Sequence, residues 1–252
     1  MAGRFRPNGQ YLCSDAGEDV LSIESMADIG VLLAAAGAAD DGAEGLNRHE
    51  LRRRAVQHCL TVQRVLCRGD GSVAEEGVFY PENGEFLRPA ARRGFRADSC
   101  WARGLALAMY GFGAAHEMTG DRRFLKTAED GAEFWMMNTP ENGVPPWDFD
   151  APMDGRLTLM QRDSSAAAVA AAGLFKLGRA TPDRVRARAY EDAAMRTVET
   201  LTASYLAAGD PAWEGVFKGG VYDIRQGLGV DESVMMGDVF GVEAMARALD
   251  LL

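Results

Sequence analysis

Leu105–Ala115, and the alanine-rich stretch that follows Asp163-Ser164-Ser165 as far as Leu177, are apolar or small on nearly every side of a helix. A helix without a polar face has to be covered all round by other elements. That requirement constrains the chain more than any other feature. Between these stretches lie helices of another kind. About Arg48 to Arg68, residues Leu51, Ala55, Cys59, Val62 and Leu66 recur at helical spacing, with Arg52, Arg53 and Arg54 turned outward. Asp121 to Asn138 carries Arg122, Lys126, Asp130 and Glu133 on a polar side. Pro182 to Ala207 opens with proline in its first turn and places Val185, Ala189, Met195, Val198 and Leu201 together. A first helix from about Asp19 to Ala36, stopped by Gly37, and a last one from Glu232 to Leu251 bring the predicted helices to seven. The third helix is expected to take Asp98 or Ser99 as its N-cap and to end before Gly120.

Buried helices alternating with half-exposed ones describe helical hairpins packed in two layers. The long connections (69–97, 139–162 and 208–231) all fall where an outer helix returns to an inner one, so they share one face. Such a face is the usual home of a binding site. Residues 70–88 contain Asn83-Gly84 and predict a small β-hairpin in the first of these loops. No linker or low-complexity tract interrupts residues 1–252, which read as one domain.

Several function classes drop out. The net charge of −10 argues against nucleic acid as a partner. No uninterrupted apolar run approaches the roughly 18 residues of a membrane span, and the first residues lack the apolar core of a signal peptide, so a cytoplasmic location is expected. The four cysteines form no C-x-x-C pair and are expected as free thiols. The three histidines have no metal-site spacing, so neither a metal nor a cofactor is expected, and His58 reads as a packed residue. Gly69-Asp70-Gly71 lacks the third glycine of a nucleotide loop, and G-x-S-x-G and H-E-x-x-H are absent.

The chemistry that remains sits at the starts of helices: Asp98-Ser-Cys-Trp-Ala-Arg-Gly104, Gly143-Val-Pro-Pro-Trp-Asp-Phe-Asp-Ala-Pro152 and Asp163-Ser-Ser-Ala-Ala-Ala168. Helix N-termini that converge present unpaired N–H groups and favour an anionic ligand. Arg88, Arg92, Arg93, Arg96 and Arg103 cluster in sequence, as a solvated loop or as a seat for a carboxylate or sulfate. Arg103 precedes an almost wholly apolar helix and therefore needs a partner or a wet cavity. Trp101 and Trp147 are either sugar-stacking platforms or core. Glu24 and Asp28, four apart among apolar neighbours, are either like charges that raise the proton affinity of one of them, or Glu24 joins Asp19 in complementing a helix N-terminus.

Together these segments, with Tyr110-Gly111, Gly229-Val-Asp-Glu-Ser233, Gly237-Asp238 and Glu243-Ala244, resemble glycoside hydrolase family 88, the unsaturated glucuronyl hydrolases, along essentially the whole chain. The resemblance implies an all-α, (α/α)6 six-hairpin barrel. It also implies a glycosidase of polysaccharide degradation that releases a 4,5-unsaturated glucuronic or uronic acid from the non-reducing end of lyase-generated oligosaccharides. By the same resemblance Glu24 stands where the family has its acid/base aspartate, and Trp101, Arg103 and Ser233 match pocket positions. Arg93, Trp147 and the neighbouring arginines complete the expected substrate contacts. Departures are also visible: glutamate replaces aspartate at 24, Asp28 replaces asparagine, Glu75 replaces histidine, Arg92-Arg93 replaces His-Gln, and Leu107 replaces tryptophan. Seven helices of the twelve make an incomplete barrel, so the chain is expected to be N-terminally truncated relative to the family. A homo-oligomer covering the open edge is the expected partner beside the unsaturated uronyl oligosaccharide. The alternative is a non-catalytic truncated remnant that binds acidic saccharides.

Overall fold

The structure, a computed structural model, describes residues 2–38, 47–152 and 161–252. Seven α-helices carry the described part: α1 Ile29–Ala38, α2 Arg48–Val65, α3 Ala102–Thr119, α4 Arg122–Asn138, α5 Ser164–Ala180, α6 Arg184–Ser204 and α7 Met235–Ala248. The alternation foreseen in the sequence is the architecture. Helices α1, α3, α5 and α7 pack side by side in that order, and α2, α4 and α6 lie outside against them. The two stretches without a polar face are α3 and α5, whose bodies are buried almost throughout, Ala166 to Ala172 at 0% exposure. Small side chains there let α3, α6 and α7 all approach α5. No described helix is long and apolar enough to cross a membrane.

Capping explains where the outer helices begin. Asp121 and Asp183 each accept a backbone N–H of the first turn, as does Asp163 at the start of α5. Pro182 consequently lies just outside α6 rather than within its first turn. Helix α3 starts later than expected, with Trp101 at its N-cap. Asp98 is engaged by Arg96, and the Ser99 hydroxyl bonds the Arg96 carbonyl and the Asp148 carboxylate, so neither is free to cap.

Short antiparallel strands fill the long loops. β1 Phe5–Arg6 pairs with β2 Tyr11–Leu12, and β6 Gly220–Asp223 pairs with β7 Leu228–Glu232. The hairpin expected within 70–88 is β4 Glu76–Phe79 with β5 Phe86–Ala90, joined by β3 Val20–Ser22 as a third strand. That third strand corrects the reading of 19–36 as one helix. Leu21 lies opposite Gly77, Ser22 then caps a 3₁₀ turn over Ile23–Asp28, and only from Ile29 does an α-helix run. At three residues per turn, Glu24 and Asp28 no longer share a face.

The 3₁₀ turn is held against α3 at two glycines. A Cβ on Gly111 would stand 2.2 Å from the Met26 carbonyl oxygen, and one on Gly104 would touch Ile23. Its other side is fixed by His58 of α2, which is fully buried. The His58 Nδ1 accepts the Leu12 N–H at 3.1 Å, and Nε2 meets the Ser25 hydroxyl at 2.9 Å. Ser25 donates to the Ser22 carbonyl, so the ring is the neutral Nε2–H tautomer.

Gly111→Ala should push the 3₁₀ turn off α3 and cost about 1–3 kcal/mol, read as a lower Tm with the helical circular-dichroism signal retained. Burial drives His58 down to about 3, so it stays neutral in the fold while the unfolded chain protonates it below about 6.5. Above that pH its contribution is intact. Between about 6.5 and 3 the unfolded state binds the extra proton, and stability should fall by about 1.4 kcal/mol per pH unit. Chemical denaturation of wild type against His58→Gln should show that slope in their difference.

Candidate active site

Glu24 belongs to the 3₁₀ turn, and its backbone N–H is capped by the Ser22 hydroxyl. Its carboxylate receives two arginines from the segment after β5. Arg93 donates through one terminal nitrogen in a short ion pair, and Arg92 approaches the same oxygen at 3.4 Å. Those arginines are aimed by a second carboxylate. Buried Glu75 accepts the successive N–H groups of Arg92, Arg93 and Gly94 at 2.7–3.0 Å, while its own carbonyl receives the Ile23 N–H. Burial raises the proton affinity of Glu75, and the three amides oppose that rise.

The second arm of Arg93 donates to the Tyr222 hydroxyl at 2.9 Å, with the guanidinium 4.7 Å from the Tyr222 ring centre. Tyr222 lies on β6 and is 43% exposed, the one aromatic ring open to solvent in this cluster of described residues. Beneath it runs Arg103, only 1% exposed. Its terminal nitrogens reach the Val221 and Tyr222 carbonyls at 2.8 Å and the Ser165 hydroxyl at 3.2 Å, and its guanidinium lies 4.6 Å from the Trp101 ring centre. Burial lowers its proton affinity, and the charge of Asp163 works against that shift. Asp163 Oδ1 gathers the Ser165 hydroxyl and the N–H groups of Ser165, Ala166 and Val221.

A hollow of about 450 Å³ opens beside Glu24, within the usual size range of small-molecule pockets. Arg4, Asp15, Asp28 and Ala27 line it with Met236 of α7, which faces the 3₁₀ turn across it. Asp28 is raised above its ordinary value by burial. Among the described residues no group of His, Cys, Asp and Glu side chains is arranged to hold a metal ion.

The structure therefore joins Glu24, Arg93 and, through Tyr222, Arg103, but it does not line one hollow with them all. Arg103 is sealed below Tyr222 with its terminal donors occupied. Trp101 and Trp147 are each 1% exposed, so neither indole offers an open face. Trp101 is covered by Arg103 and Gly104, and Trp147 exchanges backbone bonds with Ala102 and Gln161. Ser233 accepts from Trp213 and donates to the Phe217 carbonyl, within its own loop and apart from this cluster. The arginine run also divides. Arg96 turns to Asp98 and Asp150, and Arg88 bonds the neighbouring Pro89 carbonyl. Tyr222 was missed in sequence, and Glu75 was marked only as standing in place of a histidine, with no role given to it. Glu75 had a further cue, an acidic pair at the start of an apolar strand, whereas Tyr222 had only its place in a glycine-rich hairpin.

No family model matches the chain. Over 202 residues it is 36% identical to an unsaturated glucuronyl hydrolase of Bacillus sp. (strain GL1), covering 79% of this chain and 52% of that protein. It is 28% identical to an unsaturated chondroitin disaccharide hydrolase of Streptococcus pyogenes serotype M1, covering 81% of this chain and 50% of that one. The chain thus spans about half the length of the curated relatives it matches. The crystal structure of the unsaturated glucuronyl hydrolase from Bacillus sp. GL1 superposes with a TM-score of 0.89 at 30% identity, covering 98% of this chain and 65% of that one.

Replacing Arg103 should first be a stability lesion, because Arg103→Ala takes the side-chain donor from the Val221 and Tyr222 carbonyls and leaves Ser165 only its bond to Asp163. A loss of about 2–4 kcal/mol is expected, seen as a lower denaturation midpoint before any ligand is added.

Proposed function

We propose, from the chain's homology to the unsaturated glucuronyl hydrolases, that this site serves a glycosidase which removes a 4,5-unsaturated uronic acid from the non-reducing end of an oligosaccharide. The observation that carries the reading is the Glu24 carboxylate, one edge on an open hollow and the other held by Arg93, which is itself braced by Tyr222. A relative named for glucuronyl release and one named for chondroitin disaccharides point to the same substrate class.

In this reaction Glu24, protonated, delivers its proton to C4 of the enol ether while water adds to C5. The Glu24 carboxylate then takes the proton lost by that water. The product is a hemiketal, which opens and frees the leaving sugar. Arg92 and Arg93 supply the positive charge that draws an anionic uronate, since the hollow itself carries mostly carboxylates. Arg103 acts from below by holding the Tyr222 backbone.

The frame we infer is a six-hairpin ring formed as one domain, of which α1, α3, α5 and α7 are inner helices. Met235, Val239 and Val242 along α7 and Leu249 just past its end, each at least half exposed, would mark its edge and a face where a second copy could pack.

A second reading rests on the two arginines at Glu24. If they keep its carboxylate engaged throughout, the site binds acidic saccharides without turnover. Incubation with lyase-generated unsaturated disaccharides separates the two. Ultraviolet absorbance of the conjugated uronate should disappear, and Glu24→Gln should slow that loss by about 10²–10⁴-fold. Calorimetric binding of the same disaccharides with unchanged absorbance would decide for the binder.

A further inference from the structure

Glu76 takes no part in the site as described so far. It stands on β4, opposite Ser22 of β3 and Ala90 of β5, with its side chain 7% exposed. Its Oε1 has no hydrogen-bond partner and faces the Nε of Arg92, also without one, across 3.6 Å. A buried carboxylate and a guanidinium that close would ordinarily form a charge-assisted bond. Here the gap stays open, because Arg92 directs its terminal nitrogen to Glu24 at 3.4 Å and to Asp15 at 3.5 Å. Arg92 thus lies between two carboxyl groups and bonds fully to neither.

We propose that Glu76 is a positioning residue for Glu24, acting through Arg92: protonated Glu76 leaves the Glu24 carboxylate held by two arginines, and ionised Glu76 leaves it held by one. The turnover part of this proposal rests on the reading of Glu24 as the acid.

The groups facing Glu76 are Glu75 just before its own strand, Glu24 on the 3₁₀ turn, and Arg92 and Arg93 after β5, with Asp15 on the far side of Arg92. Burial first, then the negative charges of Glu75 and Glu24, push Glu76 up to about 7 against the pull of the two arginines. Below that pH its carboxyl is neutral and makes no demand on Arg92. Above it, the new carboxylate draws the Arg92 Nε across the gap and adds a like charge near Glu24. Both changes alter the charge held against the Glu24 carboxyl, the group read as delivering a proton to the enol ether.

Carbon-detected NMR titration of the glutamate carboxyl resonances in the intact chain, run beside the pH profile of uronate release, tests this. Glu76 should titrate near pH 7, and the Glu24 resonance should respond over the same interval. In Glu76→Gln both that response and the matching inflection in activity should vanish. A purely structural Glu76 would scale activity alike at every pH and leave the inflection in place, which would overturn the proposal. So would a Glu76 midpoint in the ordinary range of about 4.3, and that measurement needs only the wild-type chain. A Glu24 resonance that follows Glu76 without any turnover would support the coupling while removing the assignment of Glu24 as the acid.

Discussion

A guanidinium taken out of water costs several kcal/mol unless acceptors surround it, and Arg103 imposes that demand on three separate parts of the chain. Its acceptors are the carbonyls of Val221 and Tyr222 and the hydroxyl of Ser165, with the Trp101 ring against its face. Meeting the demand fixes the β6–β7 hairpin over the N-terminal ends of α3 and α5. Asp163 reinforces the arrangement by capping α5 and taking the Val221 N–H with the same oxygen. Only because the hairpin is tied down there does Tyr222 stand beside Arg93, and Arg93 beside Glu24. The open chemistry of the site is the far end of a chain of constraints that begins at one sealed charge.

The opposite wall is built by the same logic with the signs reversed. Glu75, a buried carboxylate, finds its donors in three consecutive backbone amides rather than in a side-chain cation. The Arg92 and Arg93 side chains are thereby left free to face Glu24. A glutamate at 75 satisfied by an arginine would have neutralised the cations on which an anionic ligand depends.

How much of this was legible in the sequence follows from whether each feature is local. Helices α4, α5 and α6 could be placed because their aspartate caps and apolar periods lie within a few residues of one another. The 19–28 segment could not, because Leu21 is a strand residue only through pairing with Gly77 on a distant hairpin. Its apolar spacing suits a helix equally well. The arginine cluster looked like one patch in the linear chain, yet the turn after β5 sends Arg92 and Arg93 inward while Arg96 goes to Asp98 and Asp150. Arg103 was recognisable as a charge in need of partners. That those partners would be carbonyls of the chain itself, and not a ligand, depends on the placement of β6.

Because the Glu75 carboxylate counts off the amides of residues 92, 93 and 94 in order, loop length is under very different control on its two sides. An extra residue among the exposed positions 81–83 at the hairpin tip would fall away from the amides that Glu75 holds. The same extra residue between Ala90 and Gly94 would hand the captured amides to different neighbours and carry both arginines away from Glu24. Length variation among natural versions of this loop should therefore gather at the tip and be absent from the short stretch that follows β5.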